Sequence, residues 1–100
     1  MHKEKYKLCL YIAGKTQKAE RAVANLKKIC EEELADQYTV EIVDLLEQPH
    51  LAEGEQIIAV PTLIKRLPAP LRTLVGDLSD KARVLVGLNI VPTTIEGAAE

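Results

Sequence analysis

The feature that most constrains how this chain can fold is an amphipathic segment at positions 17–35, which lies between two short apolar runs. The apolar residues of this segment recur at the spacing of one helix face: Ala19, Ala22, Val23, Leu26, Cys30 and Leu34. The runs at 6–12 and 39–45 are rich in residues typical of strands. A strand, a long helix and a second strand in this order predict a right-handed βαβ unit with parallel strands.

The first apolar run predicts a strand that is buried on both sides. One face carries Tyr6, Leu8, Leu10 and Ile12, and the other carries Cys9 and Tyr11. A strand that is apolar on both faces is typical of the middle of a covered sheet. A turn is expected over 13–15, and Thr16 is the predicted N-cap of the helix that follows.

The second half of the chain predicts a short helix and two more strands. The helix is expected over 51–58, although Gln48-Pro49 breaks the chain just before it and Gly54 lies within it. Proline cannot donate to a strand ladder, so Pro61 should begin the third strand rather than lie inside it. The segment 67–70, which holds two prolines, predicts a turn, and a fourth strand is expected over 71–75.

The last element has conflicting local signals. A helix capped by Asp77 or Ser79 is expected through about Leu88. Residues 84–91 also alternate in a way that suits a strand, and Gly87 is unfavourable inside a helix by about 1 kcal/mol relative to Ala. With the helix retained, the element order is βαβαββα, which predicts an α/β fold in a single domain over residues 1–100.

Composition and charge exclude several classes of function. The chain has 100 residues, a mass of 11.0 kDa, a formal net charge of −2 and a pI of about 5.7. A basic footprint for nucleic acid is therefore absent, and three tyrosines are the only aromatic residues available for stacking on bases. The first apolar run is too short for a signal peptide or a membrane span, so we expect a cytoplasmic protein with no membrane partner.

The residue types that carry most chemistry are scarce or unpaired. His2 and His50 are far apart with no ligand at metal spacing, and Ser79 has no flanking glycine of a nucleophile elbow. Gly14-Lys15-Thr16 follows a strand as in a phosphate-binding loop, but Cys9 occupies the place of the loop's first glycine. We therefore expect no catalytic residue, no metal and no cofactor, and a binding module rather than an enzyme.

Val60-Pro61-Thr62 is the most specific local motif. In thioredoxin-like folds such a motif begins the third strand with a cis proline, and the order βαβαββα fits that fold. The redox cysteines of thioredoxins lie between the first strand and the first helix, where this chain has Ala13-Gly14-Lys15-Thr16. Cys9 and Cys30 are expected to be buried free thiols instead. The predicted fold is thus thioredoxin-like, without dithiol chemistry.

In sequence the chain resembles the KaiB family of bacterial circadian clock proteins. The resemblance covers about residues 5–91, in one unbroken order. It rests on Leu10-Tyr11-Ile12-Ala13-Gly14, Arg21-Ala22, Val43-Asp44-Leu45-Leu46, Leu51-Ala52-Glu53, Ala59-Val60-Pro61-Thr62-Leu63, Leu67-Pro68-Ala69-Pro70-Leu71-Arg72, Gly76-Asp77-Leu78-Ser79 and Val84-Leu85-Val86-Gly87-Leu88.

This resemblance implies a non-enzymatic partner of the ATPase KaiC. Family members bind the N-terminal ring of KaiC and, where a KaiA exists, help to sequester it. They are also known for two folds, a ground-state tetramer and a thioredoxin-like monomer that binds KaiC, which differ in the half C-terminal to about the second strand. The short C-terminal tail of this chain favours the monomer over the homo-tetramer.

A few positions of the family carry over to this sequence. Arg21, Lys65 and Arg72 match basic positions used toward KaiC, and Gly87 and Asn89 lie in the segment that balances the two folds. The chain departs from the family pattern at three positions: Asn89 replaces a frequent acid, and Glu41 and Gln56 replace lysines. We therefore expect a KaiC contact set that differs in part from that of other members.

Two alternative functions stay open from the sequence. One is a degenerate thioredoxin-like thiol oxidoreductase that uses Cys9 or Cys30. The other is a KaiB-like sensor domain of the histidine-kinase type, which would act in a stress response.

Overall fold

A computed structural model of the chain describes residues 6–34, 37–52 and 59–90. Two helices, four strands and one short 3₁₀ helix follow one another in these ranges. In chain order they are β1 (Tyr6–Ile12), α1 (Gln17–Glu33), β2 (Tyr38–Asp44), the 3₁₀ helix (Pro49–Ala52), β3 (Thr62–Leu67), β4 (Arg72–Val75) and α2 (Lys81–Gly87).

The four strands form one mixed sheet in the order β2-β1-β3-β4. β1 pairs with β2 in parallel and with β3 antiparallel, and β4 pairs antiparallel with β3. In the register of the sheet, Leu10 of β1 is paired with Ile42 of β2 and with Leu63 of β3. The βαβ unit expected from the sequence is confirmed, and β1 occupies the interior of the sheet.

The sheet carries a hydrophobic cluster on each of its faces. On one face, α1 and α2 pack over Leu8, Leu10 and Leu63, and this is the larger cluster. On the other face, the smaller cluster consists of Cys9, Tyr11, Val43 and Ile64. Alternation along β1 therefore buries both of its sides, since side chains of successive strand residues point to opposite faces.

Helix α1 begins where the sequence predicted. The Thr16 hydroxyl oxygen accepts a hydrogen bond from the backbone N–H of Ala19 at 3.0 Å, which satisfies one of the free donors of the first turn. The helix ends at Glu33, two residues before the predicted end, with Leu34 as its C-cap. Its buried residues form one stripe: Ala19, Ala22, Leu26, Ile29 and Cys30.

The third and fourth strands lie close to their predicted positions. β3 begins at Thr62, immediately after the cis Val60–Pro61 peptide bond, so the prediction of a cis proline at this point is confirmed. Of the short helix expected over 51–58, positions 51 and 52 belong to the 3₁₀ helix. Positions 53–58, Gln56 among them, lie outside the described residues.

The start of α2 differs from the sequence prediction. Its N-cap is Asp80, whose carboxylate accepts from the Arg83 N–H at 3.2 Å, and neither Asp77 nor Ser79 caps the helix. The Asp77 carboxylate instead accepts from the Ser79 N–H at 3.2 Å. Leu78, which lies between Asp77 and Ser79, has a left-handed φ of 63°, and the helix therefore starts later in the chain.

A Schellman motif ends α2. Asn89, with φ of 56°, donates its backbone N–H to the Val86 carbonyl at 3.1 Å, and the Ile90 N–H reaches the Leu85 carbonyl at 2.9 Å. Asparagine is the residue other than glycine that most readily adopts this left-handed position. The predicted helix through about Leu88 is confirmed, and across the described residues 84–90 the competing strand is not formed.

Two substitutions at the end of α2 should change stability in opposite directions. An added Cβ at Gly87 would lie 3.4 Å from the Leu74 Cδ1, an ordinary contact, so Gly87→Ala should raise the free energy of unfolding by about 0.5–1 kcal/mol. Asn89→Val should lower it by about 1–2 kcal/mol because a β-branched residue is strained at positive φ. Urea unfolding followed by circular dichroism measures both, and equal midpoints for the two variants would contradict the assignment.

Candidate partner-binding surface

A thioredoxin carries its redox cysteines in the turn between β1 and α1. In this chain the turn is held by hydrogen bonds to a carboxylate. Gly14 has φ of 79° and donates its N–H to the Asp44 carboxylate at 2.9 Å, and the same carboxylate oxygen accepts from the Leu46 N–H at 3.0 Å. A Cβ at Gly14 would lie 2.9 Å from the Leu46 Cδ1, closer than real Cβ atoms approach. Asp44 therefore fixes this turn by accepting backbone N–H groups.

The two cysteines are buried free thiols, as the sequence predicted, and they lie on opposite faces of the sheet. Burial raises the pKa of Cys30 to about 12, and the charge of Glu31 acts in the same direction. Burial also raises the pKa of Cys9, although Tyr11 and Arg66 partly oppose the rise. Because the thiolate is the nucleophile, both sites disfavour thiol chemistry at neutral pH.

Pro61 and Thr62 lie at the beginning of β3. Pro61 accepts a backbone hydrogen bond from the Gly76 N–H at 2.9 Å, and the Thr62 hydroxyl donates to the Ala59 carbonyl. Both residues are buried. The proline thus lies at the beginning of β3, beside the end of β4, in a position that supports the sheet.

Arg21, one of the predicted contact residues, is exposed on α1. Its side chain is 58% exposed, and its Nε lies 3.6 Å from the Asp77 Oδ2. Asn25, one turn further along the same face, donates to the Asp77 carbonyl at 2.8 Å. The hydrogen bonding of Ser79 holds the pKa of Asp77 below its usual range, and Arg21 adds to this effect. Asp77 therefore links the end of β4 to α1.

Lys81 makes a second link between α2 and α1. Its Nζ lies 2.6 Å from the Glu33 Oε2 and 3.2 Å from the Glu32 Oε1. These hydrogen bonds raise the pKa of Lys81 above its ordinary value. Exposed ion pairs of this kind contribute little to stability because water screens them, so the links to α1 orient α2 more than they stabilise it.

Lys65, one of the three basic residues singled out from the sequence, is buried in this fold. The residue is 0% exposed, and alternation along β3 puts it on the same face as Leu63, beneath α1 and α2. Among the described side chains none accepts a hydrogen bond from its Nζ. Desolvation, followed by the positive charge of Arg72, lowers the pKa of this ammonium group. The ammonium group of Lys65 is therefore not accessible at the surface of this fold.

Arg72 is exposed at the first position of β4, opposite Lys65 in the ladder. Arg21, through Asp77, lies beyond the other end of the same strand. The two exposed arginines are thus separated by the length of β4, so they cannot hold one small anion together. Gly87 and Asn89, the predicted fold-balance residues, lie at the end of α2 as described above.

Arg66 is a positively charged residue whose side chain is held by a hydrogen bond, and the sequence analysis did not single it out. It lies on the face of the smaller cluster and donates from Nη2 to the Tyr11 hydroxyl at 2.8 Å. Alternation along β3 was the signal that could have found it, because a residue two positions after Ile64 shares its face. The same alternation, counted from Leu63, predicts the burial of Lys65.

The described ranges contain neither a metal-binding cluster nor a membrane-spanning helix. No group of three or more His, Cys, Asp or Glu side chains in 6–34, 37–52 and 59–90 is placed to hold a metal ion. Neither α1 nor α2 is long and apolar enough to cross a bilayer.

Comparison with known proteins assigns the family. The sequence model of the KaiB domain matches residues 9–90. The chain belongs to the KaiB family. It is 52% identical over 89 residues to the circadian clock protein KaiB3 of Synechocystis sp., which covers 89% of this chain and 87% of that protein. It is also 47% identical over 89 residues to the circadian clock oscillator protein KaiB of Microcystis aeruginosa, with 89% and 86% covered.

Solved structures support the thioredoxin-like fold for this family member. The N-terminal domain of Synechococcus elongatus SasA matches with a TM-score of 0.69 at 22% identity, covering 83% of this chain and 80% of that chain. Mitochondrial thioredoxin 3 of Saccharomyces cerevisiae matches with a TM-score of 0.68 at 15% identity, covering 86% and 78%. At these identities the likeness shows the fold alone.

The buried ammonium of Lys65 should destabilise this fold. Lys65→Met keeps the approximate length of the side chain and removes an ammonium group that has no hydrogen-bond acceptor among the described side chains, so we expect the free energy of unfolding at pH 7 to rise by about 1–3 kcal/mol. The folded state prefers the neutral amine, whose pKa lies below the ordinary 10.5. Wild-type stability should therefore rise with pH toward 10.5, and the advantage of the Met variant should shrink over the same window.

Denaturant unfolding of both proteins at pH 7 and at higher pH measures this difference. Lys27→Met, at an exposed position of α1, is the matched control and should change the free energy of unfolding by less than about 0.5 kcal/mol. A Lys65→Met protein that is less stable than wild type at pH 7 would show that the ammonium is favourably paired in solution.

Proposed function

We propose that this protein is a non-enzymatic clock component that binds the N-terminal ring of the ATPase KaiC and regulates its phosphorylation cycle. The observation that carries the proposal is the match of residues 9–90 to the KaiB domain. Curated relatives 46–52% identical to this chain are named as circadian clock proteins. The proposed location is the cytoplasm, and the proposed further partners are a KaiA or a clock histidine kinase.

Features of the structure support binding rather than catalysis. The turn at Gly14 is held by Asp44 and carries no thiol, while both cysteines are buried with raised pKa values. A degenerate thiol oxidoreductase is therefore the weaker proposal. The exposed arginines, Arg21 and Arg72, offer charge-assisted hydrogen bonds to carboxylates of a partner.

We also propose that the thioredoxin-like packing is the form that binds KaiC, and that the C-terminal half has a second packing. Three features of α2 favour this proposal. The helix spans seven residues and is preceded by Leu78 at positive φ, which costs about 1–3 kcal/mol. Its sequence also suits a strand over 84–91. If only one packing binds, the apparent affinity falls in proportion to the population of that packing.

Binding to KaiC tests the proposed function. Purified protein is mixed with KaiC from the same genome in its ADP-bound and ATP-bound states, and complexes are detected by size-exclusion chromatography with light scattering. We expect a complex in at least one nucleotide state, and we expect Arg21→Glu and Arg72→Glu each to weaken it by roughly three- to tenfold, as reversal of an interfacial charge does.

Lys27→Glu is the matched control for charge reversal, because Lys27 is exposed on α1 but away from Arg21 and Asp77. It should bind KaiC like the wild type. Absence of a complex in every nucleotide state would overturn the proposed function. Wild-type binding by both arginine variants would overturn the assignment of these two residues alone.

A further inference from the structure

The tip of the β3–β4 hairpin is an exposed run of apolar residues. Leu67 ends β3 with 53% of its surface exposed, and Leu71 precedes β4 with 55% exposed. Pro68, Ala69 and Pro70 between them are exposed as well. Five consecutive apolar residues in contact with water are unfavourable in a soluble protein unless a partner covers them. Residues 67–71 are called the hairpin tip below.

The hairpin beneath the tip is rigidly placed. β3 is hydrogen-bonded to β1 on one side and to β4 on the other, and its first four residues, 62–65, are buried. The tip therefore projects from a fixed sheet rather than from a free loop. A preformed projection loses little conformational freedom when it binds, which favours its use in recognition.

The charged residues of the hairpin are of one sign. Lys65, Arg66 and Arg72 are the charged residues of the segment 59–76, which has no Asp or Glu, in a chain whose formal net charge is −2. Residues opposite each other in a ladder share a face, so Arg72 lies on the face of Lys65, and Arg66 lies on the other. One guanidinium group thus stands on each face of the sheet, next to an exposed leucine.

The exposed apolar residues and the flanking arginines indicate the kind of surface that the tip would bind. We propose that the hairpin tip inserts into an apolar pocket of a partner protein whose rim carries carboxylates, with Leu67 and Leu71 in the pocket and Arg72 and Arg66 at the rim. The inference rests on the proposed function in taking KaiC as that partner. A second copy of this chain is the other possible occupant, and the experiment below separates the two.

Substitution of the tip with a matched control tests the proposal. Leu67→Asn/Leu71→Asn removes the apolar surface of the tip, and Leu46→Asn makes the same kind of change at a position outside both the hairpin and α2, 71% exposed. Affinity for KaiC is measured for the tip variant and for the control, and circular dichroism and thermal melting check their folding. We expect at least about a tenfold loss for the tip variant and less than about a twofold change for the control.

A measurement on the unmodified protein gives an independent readout. Methyl NMR of the leucine-labelled chain should show the signals of Leu67 and Leu71 shifting or broadening when KaiC is added, more strongly than the signal of Leu46. This readout holds even where the tip variant fails to fold. The same two signals should not change when the chain is concentrated alone.

Each outcome decides between the two proposals. If the wild type binds KaiC while the tip signals and the tip variant's affinity are unchanged, the tip proposal is wrong and the proposed function stands. If the wild type forms no complex with KaiC, both fall together. If the tip signals change with protein concentration alone, a second copy covers the tip and KaiC is not its partner.

Discussion

The burial of β1 on both faces is the constraint on which the rest of this structure depends. A strand that is apolar on both sides cannot lie at the edge of a sheet or face water, so it must have neighbours on both edges and cover on both faces. β2 and β3 supply the edges, and α1 with α2 covers one face, through the cluster that contains Leu8 and Leu10. The parallel pairing of β1 with β2 in turn requires the crossover helix α1.

Helices α1 and α2 are anchored to the rest of the molecule by different numbers of buried residues. Helix α1 buries five residues in one stripe over seventeen, and its start is capped by a neighbouring side chain. Helix α2 buries Val84 within seven residues, and it depends on left-handed residues at Leu78 and Asn89. Its polar links to α1 are ion pairs in partial contact with water. A half that is held in this way is suited to exchange between packings, and the buried ammonium of Lys65 lowers the stability of the present one further.

The elements that depend on neighbouring residues could be predicted from the sequence. The period of α1, the Thr16 cap and the position of Pro61 could each be predicted from neighbouring residues, and the order of elements then gave the thioredoxin-like fold. The start of α2 could not be predicted in this way, because Asp77, Ser79 and Asp80 can all cap a helix. The contacts of Asp77 with Arg21 and Asn25 decide among them, and these are tertiary. The burial of Lys65 could have been predicted from the alternation of β3, which puts it on the same face as Leu63.

β1 and α2 should differ in the free energy of the opening that exposes their amides. Native-state hydrogen exchange measured by NMR tests this most directly, because each amide reports the free energy of the opening that exposes it. The amides of β1 should exchange only through global unfolding, and those of Val84 and Leu88, which bond to the carbonyls of Asp80 and Val84, should exchange through an opening at least about 2 kcal/mol lower. Equal protection of β1 and α2 would contradict the account.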